Sequence, residues 1–347
     1  MSPLTWAQHP PDRQPSARWS ILVHCQSSSM LARLDWVFFM TDTSLSPNDL
    51  AFKDRLSMMA LKWLAKLPLP LLQRLGQVIG QFVAHFPHTG MHQTVLRNVE
   101  RAYPQQSRQW HLNTTKASIV STAMTALEFT KTWGMPPAFS LSQVREVHGQ
   151  ALFDEALASG RGVMCIVPHW GTWEVLNAWV NSFVAPTIMY KPGKQPGVDA
   201  LVLEARARLR ATIVPTDDSG VRATFKTLKK GGFTAILPDH TPKDNGGIFA
   251  PFFGTSTWTG VMVPKLIQRT QCAVVVLGCM RRADGQGYDV YVLPADPAVH
   301  DEDLASATAA MNRSMEALVA IAPEQYQWTY KRFKKNEHEP DFYRKQV

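Results

Sequence analysis

A histidine able to pull a proton and a carboxylate able to steady it stand five positions apart, as His169 and Glu174. They lie in the run Ile166-Val-Pro-His-Trp-Gly-Thr-Trp-Glu174. A near-neutral imidazole can deprotonate an attacking hydroxyl, and an acid on its other ring nitrogen fixes the tautomer and stabilises the imidazolium. Within one helix, five positions amount to about 500°, which leaves the two side chains roughly 140° apart. They can face each other only if His169 precedes the helix and Glu174 lies in its first turn. The flanking residues predict that arrangement. Gly162-Val-Met-Cys-Ile-Val-Pro168 is strand-like, Gly171 and Thr172 are turn and N-cap types, and Trp173 to Val184 has helical spacing. The carboxyl end of a strand is where α/β folds place chemistry.

Two further groups could assist. In Leu237-Pro-Asp239-His240, Asp239 ends a strand-like run and could orient a polar group of a substrate or shape a loop. Downstream, Phe252 and Phe253 before Gly254 could line a slot for an apolar chain, or anchor a buried loop. A basic set comprises Tyr190-Lys191-Pro192, the arginines Arg206, Arg208 and Arg210, then Arg222 and Lys229-Lys230. Such groups suit phosphate, although they equally describe solvated helix faces. The cluster Lys331-Arg-Phe-Lys-Lys335 reads as surface by the same logic. A Gly-x-Ser-x-Gly elbow, a P-loop, a dinucleotide fingerprint and a zinc-ligand cluster are all missing from the sequence, so an acyl-enzyme serine, nucleotide chemistry and zinc chemistry are not indicated.

The elements that must position these groups follow from the apolar pattern. Strand-like runs at 162–168, 186–190, 212–215, 233–237, 273–280 and 288–293 alternate with helical segments near 173–184, 198–210, 219–230, 259–270 and 302–321. That alternation predicts an α/β fold with a mixed, mostly parallel sheet covered by helices. Arg281 to Tyr288 reads as a hairpin adding antiparallel strands at one edge. Residues 94–134 are helical with a break at Tyr103-Pro104. Residues 51–86 form two amphipathic helices broken at Leu67-Pro-Leu-Pro70. The second places Leu72, Leu75, Ile79, Phe82, Val83 and Phe86 on one face. The first sets Leu56, Met59, Trp63 and Leu64 beside Lys53, Arg55, Lys62 and Lys66. This pattern suits a helix lying in a membrane interface, or a helical hairpin packed on the core. The expected organisation is therefore an N-terminal extension over 1–50, disordered or produced by a misplaced start. A helical membrane-associating part over 51–140 and an α/β core over 141–347 follow, continuous with each other.

Composition agrees with a greasy, anionic environment. Of 347 residues, 45% are hydrophobic and only 18% charged, below the usual ~25%, while the net charge is +8. A surplus of cations favours anionic lipid, nucleic acid or an acidic protein. No stretch reaches 18 uncharged apolar residues, so a spanning helix is not expected. The four cysteines form no CxxC pair and read as reduced core residues.

The order of these blocks resembles the lipid A biosynthesis (lauroyl/myristoyl) acyltransferase family within the lysophospholipid acyltransferase superfamily. Pro168 to Glu174 matches its His-x-x-x-x-Asp/Glu motif, and Arg97-Asn-Val-Glu-Arg-Ala-Tyr-Pro104 its Asn-containing segment. Tyr190-Lys-Pro192, Arg206-Ala-Arg208, Gly220-Val-Arg222, Pro238-Asp-His240, Pro251-Phe-Phe-Gly254 and Ala322 to Trp328 follow in family order. The resemblance covers about residue 55 to 335. It implies transfer of a fatty acyl chain from acyl carrier protein, a strongly acidic partner, to a hydroxyl of a lipid A precursor. His169 would be the general base, held by Glu174, with the helix start near Thr172 aiding the oxyanion. Tyr190, Lys191, Arg206, Arg208, Arg222, Asp239, Phe252, Phe253 and Gly254 would bind substrate. Neither metal nor cofactor is implied beyond the acyl donor, acyl carrier protein or acyl-CoA. The implied place is the cytoplasmic face of a bacterial inner membrane, held peripherally or monotopically. Two other readings stay open. One is a lysophospholipid or ornithine-type lipid acyltransferase. The other is a non-catalytic basic module binding membrane or nucleic acid.

Overall fold

The computed structural model describes residues 50–344, so the extension expected over 1–50 lies, apart from Leu50, outside the described residues. Among them the helical part comes first: α1 (Phe52–Leu64), α2 (Leu69–Ala84), α3 (Gly90–Ala102), α4 (Arg108–Gly134) and α5 (Pro137–Ser142). Pro68 precedes the first residue of α2 and Ser107 caps α4 by accepting from the Trp110 N–H, so the breaks fall where chain chemistry puts them.

The layered part runs β1 (Val144–His148), α6 (Gln150–Ala158), β2 (Val163–Ile166), α7 (Val175–Phe183), β3 (Thr187–Tyr190), α8 (Pro196–Ala207), β4 (Thr212–Pro215), α9 (Asp218–Lys229) and β5 (Phe233–Ile236). It continues through β6 (Gly247–Phe252), β7 (Thr255–Gly260), α10 (Met262–Thr270), β8 (Ala273–Arg281), β9 (Tyr288–Pro294) and α11 (Leu304–Val319). Seven strands form one sheet in the order β1-β9-β8-β2-β5-β3-β4. β8 and β9 are antiparallel, and every other neighbouring pair is parallel. The expected hairpin is present, but β1 adds outside it, so β9 is not the edge.

β2 lies mid-sheet and is buried on both faces, as its unbroken apolar run requires. Its side chains alternate between two cores. Met164 and Ile166 join Val276, Leu266, Met311 and Trp328 on one side; Val163, Cys165 and Val167 join Phe153, Trp179 and Leu277 on the other. Cys165, Cys272 and Cys279 are free and buried.

Two expectations change. The segment read as a loop before a helix at 259 is a second sheet, the hairpin β6–β7. Its two-residue turn is Phe253-Gly254, with φ of 46° and 72°, and a phenylalanine in the left-handed region hides the turn from a composition reading. The second change is the division of α2 into faces, since Leu72 of the apolar set and Gln73 of the polar set are both buried. The helix buries Leu72, Gln73, Gly76 and Gly80 against α4 and leaves Leu75, Ile79 and Phe82 exposed. The glycines decide this: a Cβ at Gly80 would lie 2.5 Å from the Val120 Cα, and one at Gly76 2.7 Å from the Met124 Cα. The helices approach too closely for the bulky face to turn inward. No helix among the described residues is long and apolar enough to cross a membrane.

Candidate active site

The chain leaves β2 at Ile166 and reaches His169 three residues later, at the carboxyl end of the strand. The turn that comes next is set by Gly171, whose φ is +60° and whose Cβ, if present, would lie 1.9 Å from the Cys279 carbonyl oxygen. Only glycine permits both the sign of φ and that approach. The Gly171 and Thr172 N–H groups donate to the carbonyls of Gln325 and Cys279, at 2.9 and 2.8 Å. These two donors are therefore engaged, which removes them from the oxyanion role expected near Thr172. The Thr172 hydroxyl is no N-cap either. It donates to Glu128 Oε2 of α4 at 2.7 Å.

Glu128 anchors a buried network. Its carboxylate accepts from Gln73 of α2 at 2.8 Å and from Arg281 Nε at 2.6 Å, while Arg281 also reaches Ser121 and Thr125. Burial pushes the Glu128 carboxyl up, but the Arg281 guanidinium and its hydrogen bonds outweigh that and hold it below its ordinary value. The network ties α2, α4 and the end of β8 to the turn that carries His169.

The carboxylate on His169 is Asp239, not Glu174. His169 Nδ1 donates to Asp239 Oδ1 at 2.7 Å, and the His169 backbone N–H donates to Oδ2 at 2.9 Å. Asp239 follows β5, the parallel neighbour of β2, so adjacent strand ends bring the pair together. It is 1% exposed. Burial alone would raise its carboxyl, yet the pull and hydrogen bonds of His169, with a further pull from His240, hold it far below the carboxylate range. An acceptor on Nδ1 places the proton there and leaves Nε2 as the basic nitrogen. The ring is also confined by contact. His240 stacks on it with centroids 4.0 Å apart and planes within 1°, Tyr330 stacks on His240 at 3.9 Å, and Trp173 meets it edge-on at 5.0 Å.

Glu174 is the residue just before α7, at its N-terminus, and faces another way. It accepts from Arg206 at 3.2 Å, Trp133 Nε1 at 3.1 Å and Asn177 Nδ2 at 3.0 Å. The physical reason is the one-turn offset: with Gly171 bending the chain onto Cys279, the start of α7 aims Glu174 at α8. Arg206 in turn lies over the Tyr190 ring at 4.8 Å, and its Nε is buried without a partner among the described residues.

These groups share a cavity of about 530 Å³, within the usual range of roughly 300–1,000 Å³ for small-ligand sites. Its polar end holds His169, His240, Glu174, Tyr190, Lys191 and Arg206. Its walls are Val167, Leu176, Val180, Ile188, Ala235 and Leu237, between the sheet and α7. The cavity thus joins a charged end that carries an imidazole to an apolar interior.

Residues 48–335 match the bacterial lipid A biosynthesis acyltransferases. The chain belongs to that family, and it is an acyltransferase. It is 29% identical over 277 residues to a lipid A biosynthesis lauroyltransferase of Escherichia coli, covering 78% of this chain and 88% of the relative. A lipid A biosynthesis palmitoleoyltransferase of the same organism is also 29% identical, over 281 residues, with the same coverage. A phosphatidylinositol mannoside acyltransferase of Mycobacterium tuberculosis is 26% identical over 151 residues, 42% of this chain and 48% of the relative.

Within this acyltransferase the expected site residues divide. His169, Glu174, Tyr190, Lys191 and Arg206 line one cavity, with Asp239 buried behind His169. Arg208 does not line it; it is exposed and bonds the Trp133 carbonyl. Arg222 is exposed on α9. Phe252 is fully buried in the opposite core, under Arg332, and Phe253 and Gly254 line a separate surface groove with Arg97 and Arg101. The paired phenylalanines thus do not line the apolar cavity beneath α7. Phe252 and Phe253 belong to the hairpin, which packs on α11 and the C-terminal segment. Sequence reasoning missed the His240–Tyr330 stack and Glu128. His240 is adjacent to Asp239 in the chain, which was a usable signal, whereas Glu128 gave none in a helix without a clear apolar stripe.

Proposed function

We propose that this enzyme moves a fatty acyl chain from the thioester of acyl carrier protein to a hydroxyl of a lipid A precursor, with His169 as general base. The carrying observation is the 2.7 Å contact of His169 Nδ1 with buried Asp239 at the mouth of an apolar cavity. Nε2 takes the acceptor's proton as its oxygen attacks the thioester carbonyl. The tetrahedral intermediate collapses with cleavage of the C–S bond, and the proton on Nε2 passes to the leaving thiolate. Asp239 stabilises the imidazolium between these steps, the work of a triad acid.

The acyl chain occupies the space lined by Leu176, Val180, Ile188 and Ala235, where each buried methylene contributes about 0.8 kcal/mol. Arg206, fixed by Glu174, and Lys191 stand at the mouth for a phosphate of the acceptor or donor. The enzyme works against the cytoplasmic face of the inner membrane. Phe52 and Trp63 on α1 and Phe82 on α2 are 83%, 63% and 66% exposed, apolar anchors of the kind an interfacial surface needs. α1 packs directly on the start of α8, where a Cβ at Gly197 would lie 2.3 Å from the Asp54 carbonyl oxygen, and the far end of α8 carries Arg206 to the cavity. Lys62 pairs with Glu204, while Lys53 and Lys66 stay exposed beside the apolar residues and can meet anionic headgroups.

The test is mass-spectrometric assay of purified enzyme with acyl carrier protein thioesters and a lipid A precursor. His169→Ala should lose on the order of 10³-fold or more in turnover. Near-normal turnover by that variant refutes the base, and acylation of lysophospholipid in preference to the precursor refutes the acceptor.

A further inference from the structure

The outer faces of α9 and α10 carry charge that the mechanism does not use. On α9, Arg222, Lys226, Lys229 and Lys230 fall at i, i+4, i+7 and i+8, which is one side of a helix. On α10, Lys265 and Arg269 are one turn apart, and Arg269 lies 5.5 Å over the ring of Phe225 on α9, so the two sets adjoin. All six are exposed. None forms an ion pair among the described residues. Residues 219–230 and 262–270 contain no Asp or Glu at all. The acids that border the face are Asp217 and Asp218 at the start of α9, with Asp217 turned onto the N–H groups of Ser219 and Gly220, and the exposed Asp301 and Glu302, whose carbonyls accept from Gln268 at the edge of α10.

The position of this face matters as much as its sign. Thr216, two residues before α9, and Met262, the first residue of α10, both line the His169 cavity. A partner lying along the two helices therefore reaches the mouth at their N-terminal ends. Its chemistry is acidic, and it is protein in preference to bilayer. Among the described residues the large exposed apolar side chains cluster on α1 and α2, and α9 and α10 contribute none. A membrane-inserting surface needs such anchors; a steering surface needs only charge.

We propose that the α9–α10 face is the docking surface for the acidic carrier protein that delivers the acyl thioester. The inference rests on the donor reading above. The test compares wild type, Lys226→Glu/Lys229→Glu/Lys265→Glu and the corresponding triple Arg variant, each with two donors of equal chain length: acyl carrier protein thioester and uncharged acyl-pantetheine. The Glu variant should lose on the order of 30-fold in kcat/KM with the carrier, together with most of its salt dependence. It should match wild type with acyl-pantetheine, and the Arg variant should match wild type with both. Equal loss with both donors, or less than twofold loss with the carrier, overturns the docking surface alone. Failure of wild type to use the carrier while it uses acyl-CoA overturns the donor reading, and the docking surface with it. Loss of sedimentation with anionic phosphatidylglycerol vesicles in step with activity assigns the face to the membrane and overturns the proposal.

Discussion

Glu174 follows His169 by five residues and Asp239 by seventy, yet the imidazole is held by the distant acid. Glu174 lines the cavity and Asp239 lies buried behind His169, and their surroundings separate them. Asp239 is fully enclosed, with two of its contacts on His169 itself, so any charge that develops on the ring is met by a fixed partner. Glu174 is engaged by an arginine, an indole and an amide from three directions. Its charge is already compensated by Arg206, so any part it takes in the proposed reaction would pass through that arginine. A carboxylate near a histidine in sequence is thus a weaker guide than a carboxylate on the neighbouring parallel strand, because strand ends converge in space and a tight glycine turn diverts the residues beyond it.

Substitution separates the two acids. Asp239→Asn should lower kcat by ~10³–10⁴, about 4–5.5 kcal/mol of barrier, because the amide permits the wrong tautomer and carries no charge. Steady-state kinetics within tenfold of wild type would erase the distinction. The same substitution bears on acid stability. The folded Asp239 carboxyl lies below its unfolded value of about 3.9, so its stabilisation is complete above that pH and is lost as pH falls through the folded value. Denaturant titrations at falling pH should show a shallower acid decline for the variant.

A third acid sharpens the contrast from the structural side. Glu128→Ala strands buried Arg281 and releases Thr172, and should cost about 3–5 kcal/mol of folding free energy. Urea midpoints unchanged from wild type would show the network to be dispensable. Glu174→Gln should instead raise KM about tenfold with kcat held within a few-fold, since it loosens Arg206 and leaves His169 in place. A kcat loss equal to that of Asp239→Asn would make Glu174 a partner of the base after all.

Two smaller effects probe the walls and the stack. Ala235→Leu fills the apolar cavity and should shift preference toward shorter chains, by roughly fourfold per methylene displaced at ~0.8 kcal/mol each. Competition between donors of different length reads this directly, and an unchanged preference would place the chain elsewhere. His240→Ala should cost about 0.5–1.5 kcal/mol through loss of the ring contact, with His240→Phe recovering most of it. A Phe variant no better than Ala in kcat would point to a polar role for His240.

Much of the scaffold was legible. The runs at 212–215 and 233–237 became β4 and β5 within a residue, and those at 273–280 and 288–293 became β8 and β9. Long apolar strands declare themselves by pattern. The hairpin β6–β7 did not, because Phe253 takes a glycine-like conformation and the Thr-rich strand Thr255–Gly260 buries small hydroxyls in place of aliphatic groups. The apolar side of α2 was visible as a stripe, but its direction was not. Small residues on the opposite side, Gly76 and Gly80, allowed close approach to α4 and turned the stripe outward.

The order of apolar runs, the glycine at 171 and the presence of an imidazole at a strand end are local matters, set by backbone sterics and side-chain periodicity, and the sequence determined them. Which carboxylate meets that imidazole, which apolar residues enclose a cavity and which face of a helix looks outward depend on contacts between segments tens of residues apart. Local chemistry limits those pairings without choosing among them, and only the packing of strands and helices against one another made the choice.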